Sequence, residues 1–316
     1  MKRFKKILFV IDRKKNTDVA LKRAIKLTEE NRAVLTVVGV IERLPSKLKK
    51  LLETGSYSEL ERAAIEERLK QIQEIIKRVK KKDVKVNAKV LLGKPYIEII
   101  REVMRNKHDL VMKIVEKEVG HRDILFGSDD INLMRKCPSP VWMVKPHRGK
   151  KYARILAAVD PDPYDKQRNE LDNMILELAT SLARLEQSDI HVVHAWGLYC
   201  ENILTGPRFR VTKSEVTELL NVIRKNHKEC IDELLEKLAS TNIKPKVHLI
   251  KGVPWRIITD IAKKVRVELI VMGTVCRTGI PGILIGNTAE RVLRQVDCSV
   301  LTVKPKGFVS PVNLEE

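Results

Sequence analysis

The stretch "VLLGKPYIEIIREVMRNKHDLVM", residues 90–112, reads as a strand, a glycine–proline corner, an amphipathic helix and a second strand. It is written twice. "HLIKGVPWRIITDIAKKVRVELIVM", residues 248–272, repeats the pattern, with Gly93-Lys94-Pro95 answered by Gly252-Val253-Pro254. Working outward, "CPSPVWMVKP" from Cys137 is answered by "CSVLTVKP" from Cys298, and "KILFVID" from Lys6 by "RILAAVD" from Arg154. The later matches are offset by 159 residues or within two of it, and the first by 148. Ordered matches of this kind identify one duplicated domain, whose second copy carries about eleven further residues after its first strand. The expected domains are 1–148 and 152–306, followed by a tail, 307–316, with a polar join at "HRGKKYA".

Each copy alternates strands and helices. In copy one, "KILFVID", "AVLTVVGVIE", "VKVNAKVLL", "DLVMKIV" and "PVWMVK" read as strands. Between them, "NTDVALKRAIKLTEEN" predicts a helix with Val19, Ala20, Ile25 and Leu27 inward. A long helix over about 58–81 follows, with apolar positions from Leu60 and Ala64 to Val79. In copy two, "KSEVTELLNVIRKNHKECIDELLEKLAS" is the longest helix, with Ser214 available as its N-cap. Strands that are apolar nearly throughout and alternate with helices indicate an α/β fold, with a parallel sheet covered on both faces. Ligands of such sheets bind beyond the carboxyl ends of the strands, where the strand order reverses. The loops after "LAAVD", "HVVHAW" and "LIVMG" are therefore the places to search.

The chain has 316 residues, 43% of them hydrophobic, 32% charged and only 4% aromatic, a balance that fits soluble globular domains. No apolar run approaches the roughly 20 residues of a membrane span, and the basic start has too short an apolar segment for a signal peptide. A cytoplasmic location and no membrane partner are expected. The five cysteines are scattered without a C-x2-C pair, which favours reduced thiols. The net charge of +20 is uneven: up to Arg148 there are 36 Lys and Arg against 20 Asp and Glu. A basic first half suits nucleic acid or an acidic partner, or is a solvated face of long helices. The run "LKQIQEIIKRVKKKDVKVNAK" offers a basic stripe, yet it lacks interleaved aromatics and any nucleic-acid-binding motif.

The segment "VMGTVCRTGIPGILIGNTAE", residues 271–290, lies between a buried strand and a helix capped by Asn287 or Thr288. Small residues that let backbone N–H groups face a concavity, beside a helix amino end, suit phosphate oxygens; a tight strand–helix turn is the other reading. Arg277 supplies a charge-assisted donor. The segment matches neither G-x-x-x-x-G-K-[ST] nor G-x-G-x-x-G.

These residues resemble those of the universal stress protein family, and two such domains in one chain resemble its tandem-domain members. Nucleotide-binding members carry G-x2-G-x9-G-[ST] after the fourth strand. Here Gly273 and Gly286 fill the first and third glycine places, Cys276 the second and Asn287 the Ser/Thr place. The resemblance covers nearly the whole chain. It implies two tandem Rossmann-like (adenine nucleotide alpha hydrolase-like) domains, each a parallel five-stranded sheet with helices on both faces. It also implies ATP or another nucleotide-linked ligand in the second domain. Asp160 would then lie by the adenine or ribose and Ala195 would wall the adenine. Gly273, Thr274, Arg277, Gly286, Asn287 and Thr288 would line the phosphates, and the flanking Val159, Met272 and Cys276 are assigned to the same site. In the first copy, Lys113 or Ile114 takes the place of Gly273, and Asp129 and Asp130 put negative charge where phosphate would lie. No cofactor is expected there; Asp12 and Val40 are its adenine-side counterparts. The resemblance further implies a stress-response factor, with resistance to DNA-damaging agents among its roles.

Other constellations carry less. His191 and His194 are i and i+3 on a strand and face opposite ways, which argues against a shared metal ion and for local bonding. Cys276 beside Arg277 is either a thiol of lowered pKa or an inert loop residue. Trp196 and Trp255 stand near strand ends, suited equally to covering a ligand or to packing. Ser/His/Asp sets and HIGH-like or SGG-like signatures are absent. This favours a binding protein over a catalyst, with weak ATPase activity the most that is expected. The final strands "VWMVKP" and "VLTVKP" read as edge strands whose pairing would make an intramolecular pseudo-dimer. A homodimer is the alternative.

Overall fold

The computed structural model describes residues 3–11, 18–43, 54–79, 84–115, 126–146, 151–162, 165–198, 201–204, 211–238, 243–274 and 285–314. Two compact units form: Met1–Lys150 with Phe308–Glu316, and Lys151–Gly307. Unit 1 contains β1 (Lys6–Ile11), α1 (Asp18–Asn31), β2 (Val34–Ile41), α2 (Thr54–Val79), β3 (Lys85–Leu92), α3 (Pro95–Asn106), β4 (Leu110–Ile114), α4 (Ser128–Lys136) and β5 (Val141–Val144). Unit 2 contains β6 (Arg154–Ala158), α5 (Lys166–Glu186), β7 (Asp189–Trp196), α6 (Glu201–Leu204), α7 (Lys213–Glu236), β8 (Lys246–Lys251), α8 (Pro254–Lys264), β9 (Leu269–Gly273), α9 (Asn287–Leu293) and β10 (Ser299–Val303).

Within unit 1 the strand order is β3-β2-β1-β4-β5, and within unit 2 it is β8-β7-β6-β9-β10. Every pairing inside a unit is parallel. The chain walks outward from β1 or β6 to one edge, crosses back over the sheet, and fills the other side. Right-handed crossovers therefore place the first two long helices on one face and the last two on the other. The contacts agree: α1 meets α2, α3 meets α4, α5 meets α7, and α8 meets α9. Central strands are buried on both faces, which is why they lack alternation; Ile7, Leu8, Phe9, Ile155, Leu156 and Ala157 are all fully enclosed. Edge strand β3 alternates between exposed and half-buried residues along most of its length.

The repeated corner has a local cause. Gly93 and Gly252 adopt φ of 144° and 148°, which side chains rarely tolerate. Their amides donate to the carbonyls of Ile41 and Trp196 respectively, each at 2.9 Å, so the corner is pinned to the neighbouring strand's end in both units. Proline then opens α3 and α8 where no N–H is required.

Several helix expectations need correction. Val19 is 56% exposed, while Leu21 and Ala24 join Ala20, Ile25 and Leu27 in the core. The long helix begins earlier, at Thr54, and its first turns stand off the sheet: Leu60 is 49% exposed and Ala64 is exposed. Burial on α2 starts at Arg68, whose guanidinium lies against Gly39 and donates to the Ile11 carbonyl at 2.8 Å. A side chain at residue 39 would fill that space. The N-cap of α7 is Thr212, not Ser214: its hydroxyl accepts from the Glu215 amide, and Glu215 closes a capping box. Residues 308–314 return to α3, where Arg101 and Arg105 donate to the carbonyls of Asn313 and Leu314 at 2.9 and 2.8 Å.

The histidines of "HVVH" do face opposite ways. His191 stacks on His248 of the edge strand, with ring nitrogens 2.8 Å apart. Burial first, and then the neighbouring His248 and Lys246, hold the His191 imidazole below its ordinary pKa; burial and Lys264 do the same for His248. The unfolded chain therefore takes up protons that the folded pair resists, so stability falls as pH drops below the ordinary histidine range of about 6.5. Acidification from about pH 7.5 to about pH 5.5 should lower the melting temperature, and His248→Gln should reduce that acid-dependent drop. An equal drop in both proteins would assign the acid sensitivity elsewhere.

Candidate functional site

In unit 2 the strand order reverses between β6 and β9, and the expected ligand residues gather at that point. Ala158 pairs with Met272, which brings the end of β6 level with the end of β9. Val159, 5% exposed, continues the ladder by donating to the Val193 carbonyl at 3.1 Å. Asp160 follows as a half-buried residue whose amide donates to Asp172 Oδ1 at 3.0 Å. Ala195 lies near the end of β7, partly exposed and paired with Ile250. Asp160, Ala195, Gly273 and Thr274 thus share one rim of the sheet.

The phosphate side has a more specific build. Thr274 is fully buried; its amide donates to the Val303 carbonyl at 3.3 Å and its own carbonyl accepts from Gly286 at 2.8 Å. The start of α9 is thereby tied directly to the end of β9. This corrects two expectations. Gly286 spends its amide inside the protein, and Gly286 itself, not Asn287 or Thr288, is the N-cap of α9. Asn287 is exposed and Thr288 half-buried, both in the first turn, where helix amides have no intrahelical acceptor. Gly273 has a packing reason for its bare backbone: a Cβ there would come within 2.9 Å of Leu171 on α5. Cys276 and Arg277, and with them the redox-thiol reading, lie outside the described residues.

Two groups escaped the sequence reading. Lys304, just after β10 and 5% exposed, donates from Nζ to Thr274 Oγ1, which puts a buried ammonium under the β9–α9 junction. Its signal was the "VKP" that ends both copies, read there only as a strand end. The other is His227 on α7, whose Nδ1 lies 2.8 Å from His194 Nε2. His194, 1% exposed, directs Nδ1 at the Val159 carbonyl (3.2 Å) and toward Asp160 Oδ1 (3.7 Å). Trp196 is buried in the core near His227, whereas Trp255 is half-buried beneath the guanidinium groups of Arg256 and Arg291.

Comparison with known proteins gives this geometry a lineage. The model of the universal stress protein family matches residues 3–145 and again 151–304. The chain belongs to the universal stress protein family. It is a tandem member similar to universal stress protein E: the Salmonella typhi protein is 29% identical over 319 residues, with 100% of this chain and 99% of the relative covered. Universal stress protein E of Escherichia coli K12 is 28% identical over 318 residues, again covering 100% and 99%. Among solved structures, PA1789 of Pseudomonas aeruginosa PAO1, described as functionally unknown, superposes with a TM-score of 0.71 at 24% identity, over 96% of this chain and 94% of that one. A universal stress protein from Archaeoglobus fulgidus gives a TM-score of 0.62 at 18% identity, over 95% and 98%. These two likenesses concern the fold. Among the described residues, no helix is long and apolar enough to cross a membrane.

The first universal stress protein domain fills the same place differently. Ile114 pairs with Val144 as Gly273 pairs with Val303, so Ile114, not Lys113, occupies the first glycine place, and Lys113 answers Met272. Gly127 caps α4 as Gly286 caps α9, so Asp130 answers Ala289. Lys113 Nζ lies 2.8 Å from Asp130 Oδ1, with both side chains under a tenth exposed, and Asp130 Oδ2 accepts from the Gly127 amide at 3.2 Å. The chain thus supplies its own anion to this helix start. Burial foremost, with Asp130 and Glu42 adding to it, holds the Asp129 carboxyl above its ordinary pKa. Asp129 lines a cavity of about 510 Å³ whose rim also carries Glu42, Arg43, Lys94, Glu98 and Arg101. Val40 is half-buried on β2, and Asp12 lies outside the described residues. Asp130→Ala alone should cost about 1–3 kcal/mol in urea unfolding, because it removes a buried carboxylate that pairs with Lys113 and accepts from the Gly127 amide. Adding Lys113→Met, which installs the residues of the second domain, should recover most of that loss. Equal stability of the single and double variants would show that the pair is not coupled.

Proposed function

We propose that the second domain holds a nucleotide-like anion at the β6–β9 reversal, making the protein a ligand-binding stress-response factor with one working site. The observation that carries this reading is Lys304: a buried ammonium bonded to Thr274, which brings a cation to the junction of β9 and α9 beside the strand reversal. The first-turn amides of α9, at Asn287 and Thr288, add donors for phosphate oxygens. At the other end of the rim, Asp160 accepts from ribose hydroxyls and Ala195 lies against the base, as in nucleotide-binding members of the family. The first domain, already neutralised by Asp130, takes no phosphate in this reading. In this reading the site's work is retention of the ligand.

A ligand that binds only the folded state raises apparent stability by about 2.7 kcal/mol at a hundredfold excess over Kd. ATP is therefore expected to raise the melting temperature of the wild-type protein, and Lys304→Met to abolish that shift while leaving the unliganded protein folded. Mass spectrometry of small molecules released on heat denaturation should detect a nucleotide. A clean blank together with no ATP-induced shift would remove the reading.

A further inference from the structure

The ligand rim of unit 2 is supported from behind by two histidines that come from distant parts of the chain. His194 is on β7, and its Nδ1 sits 3.2 Å from the Val159 carbonyl oxygen. A carbonyl accepts only, so a hydrogen bond there requires the His194 proton on Nδ1. In the neutral ring Nε2 is then a bare lone pair. His227, arriving on α7, places its Nδ1 2.8 Å from that nitrogen. The contact is a hydrogen bond only if His227 donates, which puts the His227 proton on Nδ1 as well. With both rings neutral, one ordering of protons satisfies both contacts: His227 N–H to His194, then His194 N–H to the backbone at Val159.

This ordering has a consequence for Asp160, the residue after Val159. His194 Nδ1 is 3.7 Å from Asp160 Oδ1, and the His194 side chain is fully enclosed, whereas that of Asp160 is 35% exposed. With the proton on Nδ1, the carboxylate faces the positive end of an N–H. With the proton on Nε2, a nitrogen lone pair would oppose both the Val159 carbonyl and the carboxylate, at low local dielectric. Asp160 is further tied through its amide to Asp172. Its position at the strand end is thus set from two sides, one of which depends on a donor on a helix more than 60 residues later in the sequence.

We propose that His227 is a positioning residue: by donating to His194 Nε2 it fixes the Nδ1–H tautomer of His194, and so holds the Asp160 carboxylate in place at the ligand rim. The tautomer half of this inference stands on the hydrogen bonds alone; its effect on a ligand rests on the nucleotide reading given above. The chemistry also says which substitutions preserve it. Asn places an amide N–H near the position of the imidazole Nδ1, so His227→Asn keeps the donor, whereas His227→Phe keeps the ring and removes it.

The test uses the full chain. Imidazole ¹⁵N spectra of the unliganded protein should show His194 protonated on Nδ1 in wild type and in His227→Asn, and a mixed or reversed tautomer in His227→Phe. ATP titration by calorimetry should then give a Kd within about twofold of wild type for His227→Asn, and weakened on the order of tenfold for His227→Phe, the loss expected for one well-placed hydrogen bond. A wild-type His194 protonated on Nε2, or a His227→Phe protein whose His194 tautomer and ATP affinity are unchanged, overturns the proposal. If His227→Phe does not fold, the wild-type tautomer and the His227→Asn comparison still decide it. If wild type binds no ATP, the nucleotide reading fails, while the spectra separately decide whether His227 orders His194.

Discussion

Two-sided pairing of β6, with β7 on one flank and β9 on the other, is the constraint on which the second unit depends. A strand paired on both sides, with its residues enclosed above and below, must be apolar throughout and cannot shift register without breaking two ladders. Its last ladder contact, Val159 to Val193, fixes where the chain leaves the sheet. Because the order reverses beside β6, the helices following β6 and β9 depart to opposite faces of the sheet. The register puts Asp160 and Thr274 at neighbouring strand ends, and the Gly286 amide ties the start of α9 to Thr274.

The fold was legible because its determinants are local and repeated. The glycine–proline corner, the buried "RILAAVD" run and the offset between copies each encode topology in consecutive residues, and the structure reproduces all of them. What escaped was set by contacts across the chain. Arg68 replaces Ala64 in the core because Gly39, on another strand, leaves room for a guanidinium. Thr212 instead of Ser214 caps α7 because the reciprocal bond with Glu215 requires a three-residue spacing. At the site, Gly273 carried a signal read as ligand approach, although packing against Leu171 already accounts for it. His227 carries no local signature and Lys304 only the repeated "VKP"; each acquires meaning from a partner 30 or more residues away.

The two copies also show how one geometry is used in two ways. The paired positions Lys113 and Asp130 in the first domain become Met272 and Ala289 in the second. Burying an ion pair is close to neutral when both partners are present and costly when one is missing, so such a pair changes safely only as a unit. Replacing it by two apolar residues keeps the packing and removes the internal carboxylate, while the lysine after the last strand persists in both copies as Lys145 and Lys304.

That exchange has a thermodynamic corollary. A domain that neutralises its helix start with its own aspartate has a stability that no external anion can raise much at that place. A domain that omits the aspartate leaves this contribution to a ligand, and its stability then rises with ligand concentration through mass action. In the proposed reading, the first domain is permanently occupied at that place and the second conditionally so. Under that reading, one chain joins a domain that carries its own carboxylate at the helix start to one whose stability rises with a ligand's concentration. Both arrangements sit on the same strand order, β3-β2-β1-β4-β5 and β8-β7-β6-β9-β10.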